Sequence, residues 1–386
     1  MTTVIQALAT LCTLVPAVIA PKLAEAFGVS ASMIGFQVSL IYLGAIITSL
    51  GGGVLILRLG ALRTSQIALG LAGSGLALAA TSSLAGLAIG SVIVGFGYGL
   101  TNPSAAHILM RVSRPENRNL IFSLKQTGVP LGAVVAGLAA PSLALAFGWQ
   151  GAFLIFAAIP LGMIVLIQPL RRDWDRDRDP TVSLRHNPIG DLGMIWRHSA
   201  LRRVSMAAFC FSAVQVSLST FAVTMLVEDL RFGLVQAGLV LSALQVAGVL
   251  GRVSWGGVAD WLADGNKVLS GVALIAALAG VMTMFLEAGG SIVLVYAVLC
   301  LFGLSAIGWN GVFLAEVARL APEGRASNAT GGALVPTYTG VMIGPATFVG
   351  LQALTGTYTA SFGIFAAVSL TGFALMLSAR RRPAGD

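Results

Sequence analysis

The sequence predicts an all-α membrane protein of twelve transmembrane helices arranged as two pseudo-symmetric six-helix bundles. Composition is the first reason. Of 386 residues, 56% are hydrophobic and only 10% are charged, and the mean hydropathy is +0.89, far from a soluble domain. The second reason is a succession of apolar stretches near the length of a bilayer-spanning helix. The third is a duplicated loop phrase. Pro115-Glu116-Asn117-Arg118 recurs as Pro322-Glu323-Gly324-Arg325, and ahead of each phrase an asparagine in an apolar segment, Asn102 or Asn310, precedes Arg111 or Arg319 by nine positions. Two halves of one duplicated transporter carry such a pattern.

A spanning helix needs about 20 apolar residues. In the first bundle, residues 1–170, the stretches are 3–25, 32–56, 65–83, 85–110, 119–146 and 149–170. No basic segment precedes the first of them and further spans follow it, so it reads as a retained helix and not a cleaved signal. In the second bundle, residues 204–386, the stretches are 204–227, 233–257, 268–287, 290–317, 327–353 and 356–379. Between the bundles, residues 171–203 alternate acids and bases around two prolines. They form a linker, either a plain tether or one carrying a short interfacial amphipathic helix around Ile189 to Trp196. Prolines inside or beside spans (Pro103, Pro130, Pro336, Pro345) mark expected kinks.

Basic residues set the orientation. Only Lys22 and Arg231 fall on one face. Arg58, Arg63, Arg111, Arg114, Arg118, the linker, Lys267, Arg319, Arg325 and Arg380-Arg381-Arg382 share the other. Both termini are therefore expected in the cytoplasm, and the expected site is a bacterial cytoplasmic (inner) membrane with the chain as a monomer. This topology accounts for the net charge of +8, so nucleic acid is not an expected partner. Cys12, Cys210 and Cys300 stand singly, without metal or disulfide spacing, and read as packing residues. No metal, no cofactor and no enzyme chemistry are expected, because no nucleophile–base arrangement, phosphate loop or dinucleotide fingerprint is present.

The loop after the second span reads Gly53-Val54-Leu55-Ile56-Leu57-Arg58-Leu59-Gly60-Ala61-Leu62-Arg63, and the loop after the eighth reads Gly256-Gly257-Val258-Ala259-Asp260-Trp261. With twelve spans and a polar middle loop, the chain resembles the major facilitator superfamily, whose loop between helices 2 and 3 follows G-x-L-a-D-r-x-G-r-r. The first copy here has Leu57 where the acid belongs but keeps Arg58; the second keeps Asp260 and loses the arginine. The resemblance implies a gating latch in which the acid meets nearby helix N-termini, with Asp260 and Arg58 as its remaining parts. Gly251-Arg252-Val253-Ser254-Trp255-Gly256 with Asp260 further resembles the eighth-helix pattern of the oxalate/formate and monocarboxylate branch. There the arginine contacts the substrate carboxylate.

Function is expected from polar groups inside the spans, where ionisable residues are costly. The acids fall in loops or near helix ends, which leaves two cations. Lys125 lies about 10 Å along its helix from Arg118, and Arg252 about 12 Å from Asp260. The resemblance places both near a central cavity, where an anion would relieve their mutual repulsion. A guanidinium fork suits a carboxylate, and an ammonium adds a point charge. The competing reading is that both side chains snorkel to the headgroups. Asn102, Asn310, Gln215 and Tyr338 are neutral candidates for orienting a ligand, followed by Gln126, Trp309 and Tyr98; interhelical hydrogen bonding is the alternative for the asparagines. Tyr42 and Gln37 rank below them, and His107 reads as a packing residue near the cytoplasmic edge.

The functional expectation is a secondary active or facilitative transporter of a small, carboxylate-bearing organic anion, working by alternating access with the lipid bilayer as its environment. A coupled proton or counter-anion is the candidate co-substrate. The alternatives are proton-driven efflux of drugs or metabolites, which favours an acid-lined apolar pocket, and a membrane sensor or scaffold, which requires a soluble signalling domain.

Overall fold

The computed structural model describes residues 1–29, 31–183 and 188–380, and every regular element among them is helical. In chain order the helices are α1 (Thr2–Val18), α2 (Ala20–Phe27), α3 (Ala31–Leu59), α4 (Ala61–Ala79), α5 (Leu84–Val112), α6 (Arg118–Gln126), α7 (Gly128–Ile167), α8 (Arg171–Trp174), α9 (Pro188–Arg197), α10 (Ser199–Glu228), α11 (Leu234–Trp261), α12 (Gly265–Met282), α13 (Ile292–Ala306), α14 (Asn310–Leu320), α15 (Ala326–Thr355) and α16 (Tyr358–Arg380). Arg381 and Arg382 of the basic tail lie outside the described residues.

By length and composition, nine of the described helical stretches are apolar enough to cross a membrane, and α1 with α2 adds a further span bent by 55°. One of the nine runs over 60 residues from Pro115 to Trp174. At 1.5 Å per residue it would be about 90 Å long, roughly three times a bilayer core. It turns at Gly148, whose φ of 72° and ψ of 165° lie outside the helical region, so it supplies two spans. With α4, whose 19 residues reach about 28 Å, the twelve expected helices are present. The protein is a multi-pass membrane protein.

Where the helices break, the chain chemistry explains why. Ile19 adopts φ −106° and ψ 21° between α1 and α2, just ahead of Pro21, which has no N–H to continue the ladder. Pro130, in the first turn of α7, likewise cannot donate to the carbonyl of Gln126, and α6 ends there. The tenth expected span is also interrupted: α13 stops at Ala306 and α14 begins at Asn310. The linker contains a short helix, α9, over the stretch where such a helix was the alternative to a plain tether.

The chain packs as two compact units. The first comprises residues 1–112, 125–194 and 321–335; the second comprises 113–124, 195–320 and 336–386. In the first unit α5 packs on α3 and α4, and α7 packs on α1 and α4. Its core joins Leu11, Cys12, Val15, Phe153 and Phe156, and the Trp149 ring lies 5.4 Å from Phe27 and 5.5 Å from Phe153. In the second unit α16 packs on α10 and α12, and α13 on α11. Its core is aromatic around Phe348, whose ring centroid is 4.4 Å from Phe362 and 5.0 Å from Phe221. Cys12 and Cys210 are buried free thiols and Cys300 is half-buried.

Candidate substrate site and gating contacts

Within the first unit, Lys125 comes out of α6 into a nest of amides. It is only 2% exposed. Its Nζ donates to Gln6 Oε1 at 2.6 Å and to Gln126 Oε1 at 3.0 Å, and a third, short bond goes to Asn102 Oδ1. Three oxygen acceptors need three N–H donors, which only the ammonium form of lysine offers. The structure therefore brings together three of the expected site residues, Lys125, Asn102 and Gln126. It adds one that sequence reasoning passed over. Gln6 is fully buried on α1 and donates to Thr10 Oγ1 at 3.4 Å. The polar stripe Gln6, Thr10, Thr13, at i, i+4 and i+7 on an otherwise apolar helix, was the available signal. Tyr98 stands edge-on to Tyr42, with centroids 6.0 Å apart. Lys125 is thus buried and bonded to amides of α1, α5 and its own helix.

Within the second unit, Arg252 on α11 is equally buried, at 2%. Its Nε donates to the carbonyl of Ile307 at 3.2 Å. That carbonyl sits in the break between α13 and α14, where regular helix bonding lapses, and it also accepts from Asn310 Nδ2 at 3.4 Å. A broken helix in an apolar setting needs such donors. One turn away, Trp255 Nε1 donates to Leu304 O at 2.9 Å. Gln215, Trp309 and Asn310 form a second polar cluster: Gln215 Oε1 accepts from Trp309 Nε1 at 2.9 Å and from Asn310 Nδ2 at 3.0 Å. Tyr338 on α15 is buried.

Asp260, one of the two residues expected to serve a latch, is held in a definite geometry. Its Oδ1 accepts from the Asn119 N–H and from Asn119 Nδ2, each at 2.9 Å, and its Oδ2 accepts from the Leu120 N–H at 2.8 Å. A carboxylate thus sits on orphan donors at the start of α6, where the helix dipole favours negative charge. Arg58 takes a different part. Its Nη1 donates to the Val182 carbonyl at 3.0 Å, and the Asp179 N–H donates to the carbonyl of Leu57 at 2.8 Å. In place of an acid at position 57, the first loop engages the linker.

That engagement corrects the picture of the linker as a plain tether. Asp175, one of the acids assigned to a polar loop, is only 4% exposed. Its Oδ1 accepts from the Leu62 N–H at 2.7 Å and its Oδ2 from the Arg63 N–H at 3.1 Å, capping α4. Gly60, at φ 97°, lies against this carboxylate, and a Cβ there would collide with it. Farther along, Asp177 binds His107 Nε2 at 2.6 Å and Arg111 Nη1 at 2.8 Å. His107 is therefore a hydrogen-bonding residue as well as a packing one. Burial pushes the Asp177 carboxyl up, but the His107 hydrogen bond and the charges of His107 and Arg111 outweigh it, and the net shift is downward.

Comparison with known proteins follows the fold. The sequence model of the Major Facilitator Superfamily matches residues 2–345. An uncharacterised MFS-type transporter of Mycobacterium tuberculosis is 25% identical over 275 residues, which is 69% of this chain and 58% of that protein. The chain thus aligns with little more than half the length of that relative. The 4-hydroxybenzoate transporter PcaK of Acinetobacter baylyi is 32% identical over 152 residues, 39% of this chain and 33% of PcaK. Among solved structures, the transporter FucP in its outward conformation superposes with a TM-score of 0.74 at 19% identity, covering 99% of this chain and 98% of FucP.

Proposed function

As a member of the Major Facilitator Superfamily, the chain is, we propose, a transporter of a small carboxylate-bearing organic anion that works by alternating access. The observation that carries this reading is the Lys125 ammonium, held inside an apolar bundle by three neutral amide oxygens. A carboxylate that displaces one of those oxygens replaces a neutral acceptor with an anionic one, so that the ammonium gains an opposite charge as well as a hydrogen bond. Asn102, Gln6 and Gln126 then orient the ligand through their amide groups. Within the second unit, the buried guanidinium of Arg252, with Asn310 on the same Ile307 carbonyl and Gln215 and Trp309 bonded to Asn310 or to one another, is a further candidate group for an anion; Tyr98 and Tyr338 remain candidates within their own units. Partial similarity to a 4-hydroxybenzoate transporter supports an aromatic or otherwise compact monocarboxylate.

Proton-driven efflux would call for an available buried acid. Glu316, buried on α14, gives both its oxygens to Arg319, at 2.9 and 2.5 Å, so that reading finds less support than the anion.

The test is ligand-induced thermal stabilisation of the purified protein with benzoates, aliphatic mono- and dicarboxylates, hexoses and lipophilic cations, repeated with Lys125→Gln. A ligand at 100 times its Kd stabilises the state it binds by about 2.7 kcal/mol. Stabilisation by a carboxylate that disappears in Lys125→Gln supports the proposal. Stabilisation by hexoses or lipophilic cations alone, equal in both proteins, overturns it.

A further inference from the structure

A cationic cleft lies where α7 leaves the apolar span. Immediately after Ile167 the chain folds around an open cleft of about 780 Å³ lined by Arg171, Arg172, Arg176, Arg178, Gln168 and Asp175. Of the four guanidiniums, Arg176 is paired with Asp173 at 2.6 Å and Arg171 has only Asp175 at 3.4 Å, a carboxylate whose oxygens also take the backbone N–H groups of Leu62 and Arg63. The side chains of Arg172 and Arg178 make no hydrogen bond or ion pair among the described residues. Arg171 Nε is buried without a hydrogen-bond partner and stands 3.4 Å from Asp175 Oδ2, too far for a well-formed bond. The cleft thus gathers more positive charge than the protein itself neutralises, with one buried donor unsatisfied.

From this we infer that the cleft binds the phosphate headgroup of an anionic phospholipid at the membrane edge. Arginine offers paired donors that match phosphate oxygens, and basic pockets at the ends of spans recognise anionic headgroups. The neighbouring chain distinguishes a lipid from a free phosphate. Val165 and Leu166, each 73% exposed, and Leu170, 42% exposed, lead directly into the cleft. The acyl chains of a lipid cover such side chains while its headgroup reaches the arginines. The inference is independent of the transported substrate.

Native mass spectrometry of the full-length protein, titrated with phosphatidylglycerol, cardiolipin or phosphatidylcholine, tests it, with inorganic phosphate as a separate arm. The proteins compared are wild type, Arg172→Gln/Arg178→Gln, and Arg197→Gln/Lys267→Gln, which makes the same charge change at exposed positions away from the cleft. Each arginine near a charged headgroup is worth about five-fold in affinity, so the cleft double variant loses about 25-fold for the anionic lipids while the control pair stays within a few fold of wild type. Arg172 and Arg178 are exposed, and an unchanged melting temperature in phosphatidylcholine confirms that the variant is folded. Equal binding of anionic lipid by both double variants overturns the site. Occupancy by inorganic phosphate that blocks lipid retention at low millimolar concentration overturns the lipid assignment.

Discussion

Asp260 and Asn119, from opposite halves of the sequence, are joined twice by one carboxylate oxygen: Oδ1 accepts both the backbone N–H and the side-chain amide of Asn119, each at 2.9 Å. With Oδ2 on the Leu120 N–H at 2.8 Å, the acid satisfies two of the four orphan donors of α6. Asp260→Ala is expected to cost about 2 kcal/mol, the scale of hydrogen bonds to a charged acceptor. Asp260→Asn keeps one acceptor oxygen and loses about half as much. Melting temperatures of the two variants check the order; an Asp260→Asn loss equal to that of Asp260→Ala would show that the charge, and not the acceptor geometry, carries the contact.

Gln6 makes the sharpest test of the lysine nest. Gln6→Glu places a tethered carboxylate where the amide oxygen now lies, 2.6 Å from Lys125 Nζ. The variant is expected to fold at least as stably as wild type, yet to lose stabilisation by added carboxylates, because the site carries its own anion. Thermal shift with and without ligand reads both effects. A Gln6→Glu protein that still responds to carboxylates separates the lysine from the ligand.

Lys125→Met removes the donor that three amide oxygens share. Each buried acceptor left unmade costs about 1–3 kcal/mol, so Lys125→Met should be several kcal/mol less stable than Lys125→Gln, whose amide restores donors. Parallel melts in one detergent decide it, and equal stability of the two would show that the amides find other partners.

Gly60 and Asp175 are expected to fail together. Gly60→Ala forces a side chain into φ 97° and against the Asp175 carboxylate, at about 1–3 kcal/mol for the backbone alone. Asp175→Ala removes the cap on Leu62 and Arg63, worth about 1 kcal/mol. Because each change disrupts the same cap, the double variant should lose clearly less than the sum of the two single losses. Strict additivity would show that the two residues act separately.

Asp177 gives the linker a pH-dependent hold on α5. Its folded-state carboxyl lies below the ordinary value of 3.8. The ionised form is therefore favoured by folding, and its contribution is full above 3.8 and lost as pH falls through the lower folded value. The group is about one-third exposed, so the effect is small and weakens with salt. The difference in melting temperature between wild type and Asp177→Asn should be constant at neutral pH and vanish in strong acid. A difference that grows on acidification contradicts the pairing.

Most of the fold was legible because each span announces itself as an apolar run of bilayer length, and because the duplicated loops give the count. Breaks were harder. Ile19 and the 307–309 interruption lie in apolar sequence, where hydropathy is blind to dihedral angle, though Pro21 explains the first in retrospect; Gly148, by contrast, falls between the expected spans 119–146 and 149–170, and Pro130 was an expected kink. In the candidate site, the lysine and its asparagine could be chosen from cost alone. Gln6 could not, because an uncharged residue in the first helix ranks low until its partner's position is known. Asp175 was hidden for the opposite reason: within a run of alternating charges, nothing in the sequence distinguishes the one acid that turns inward to cap α4.

Solute counterflow in proteoliposomes tests the central claim most directly. Vesicles loaded with an unlabelled carboxylate that stabilises the purified protein are diluted into a trace of the labelled compound, and accumulation is followed for wild type and Lys125→Gln. Transient accumulation in wild type, saturable and reduced at least ten-fold in Lys125→Gln, is the predicted result. Accumulation that is unaffected by Lys125→Gln, or counterflow of hexoses with none of any carboxylate, would contradict it.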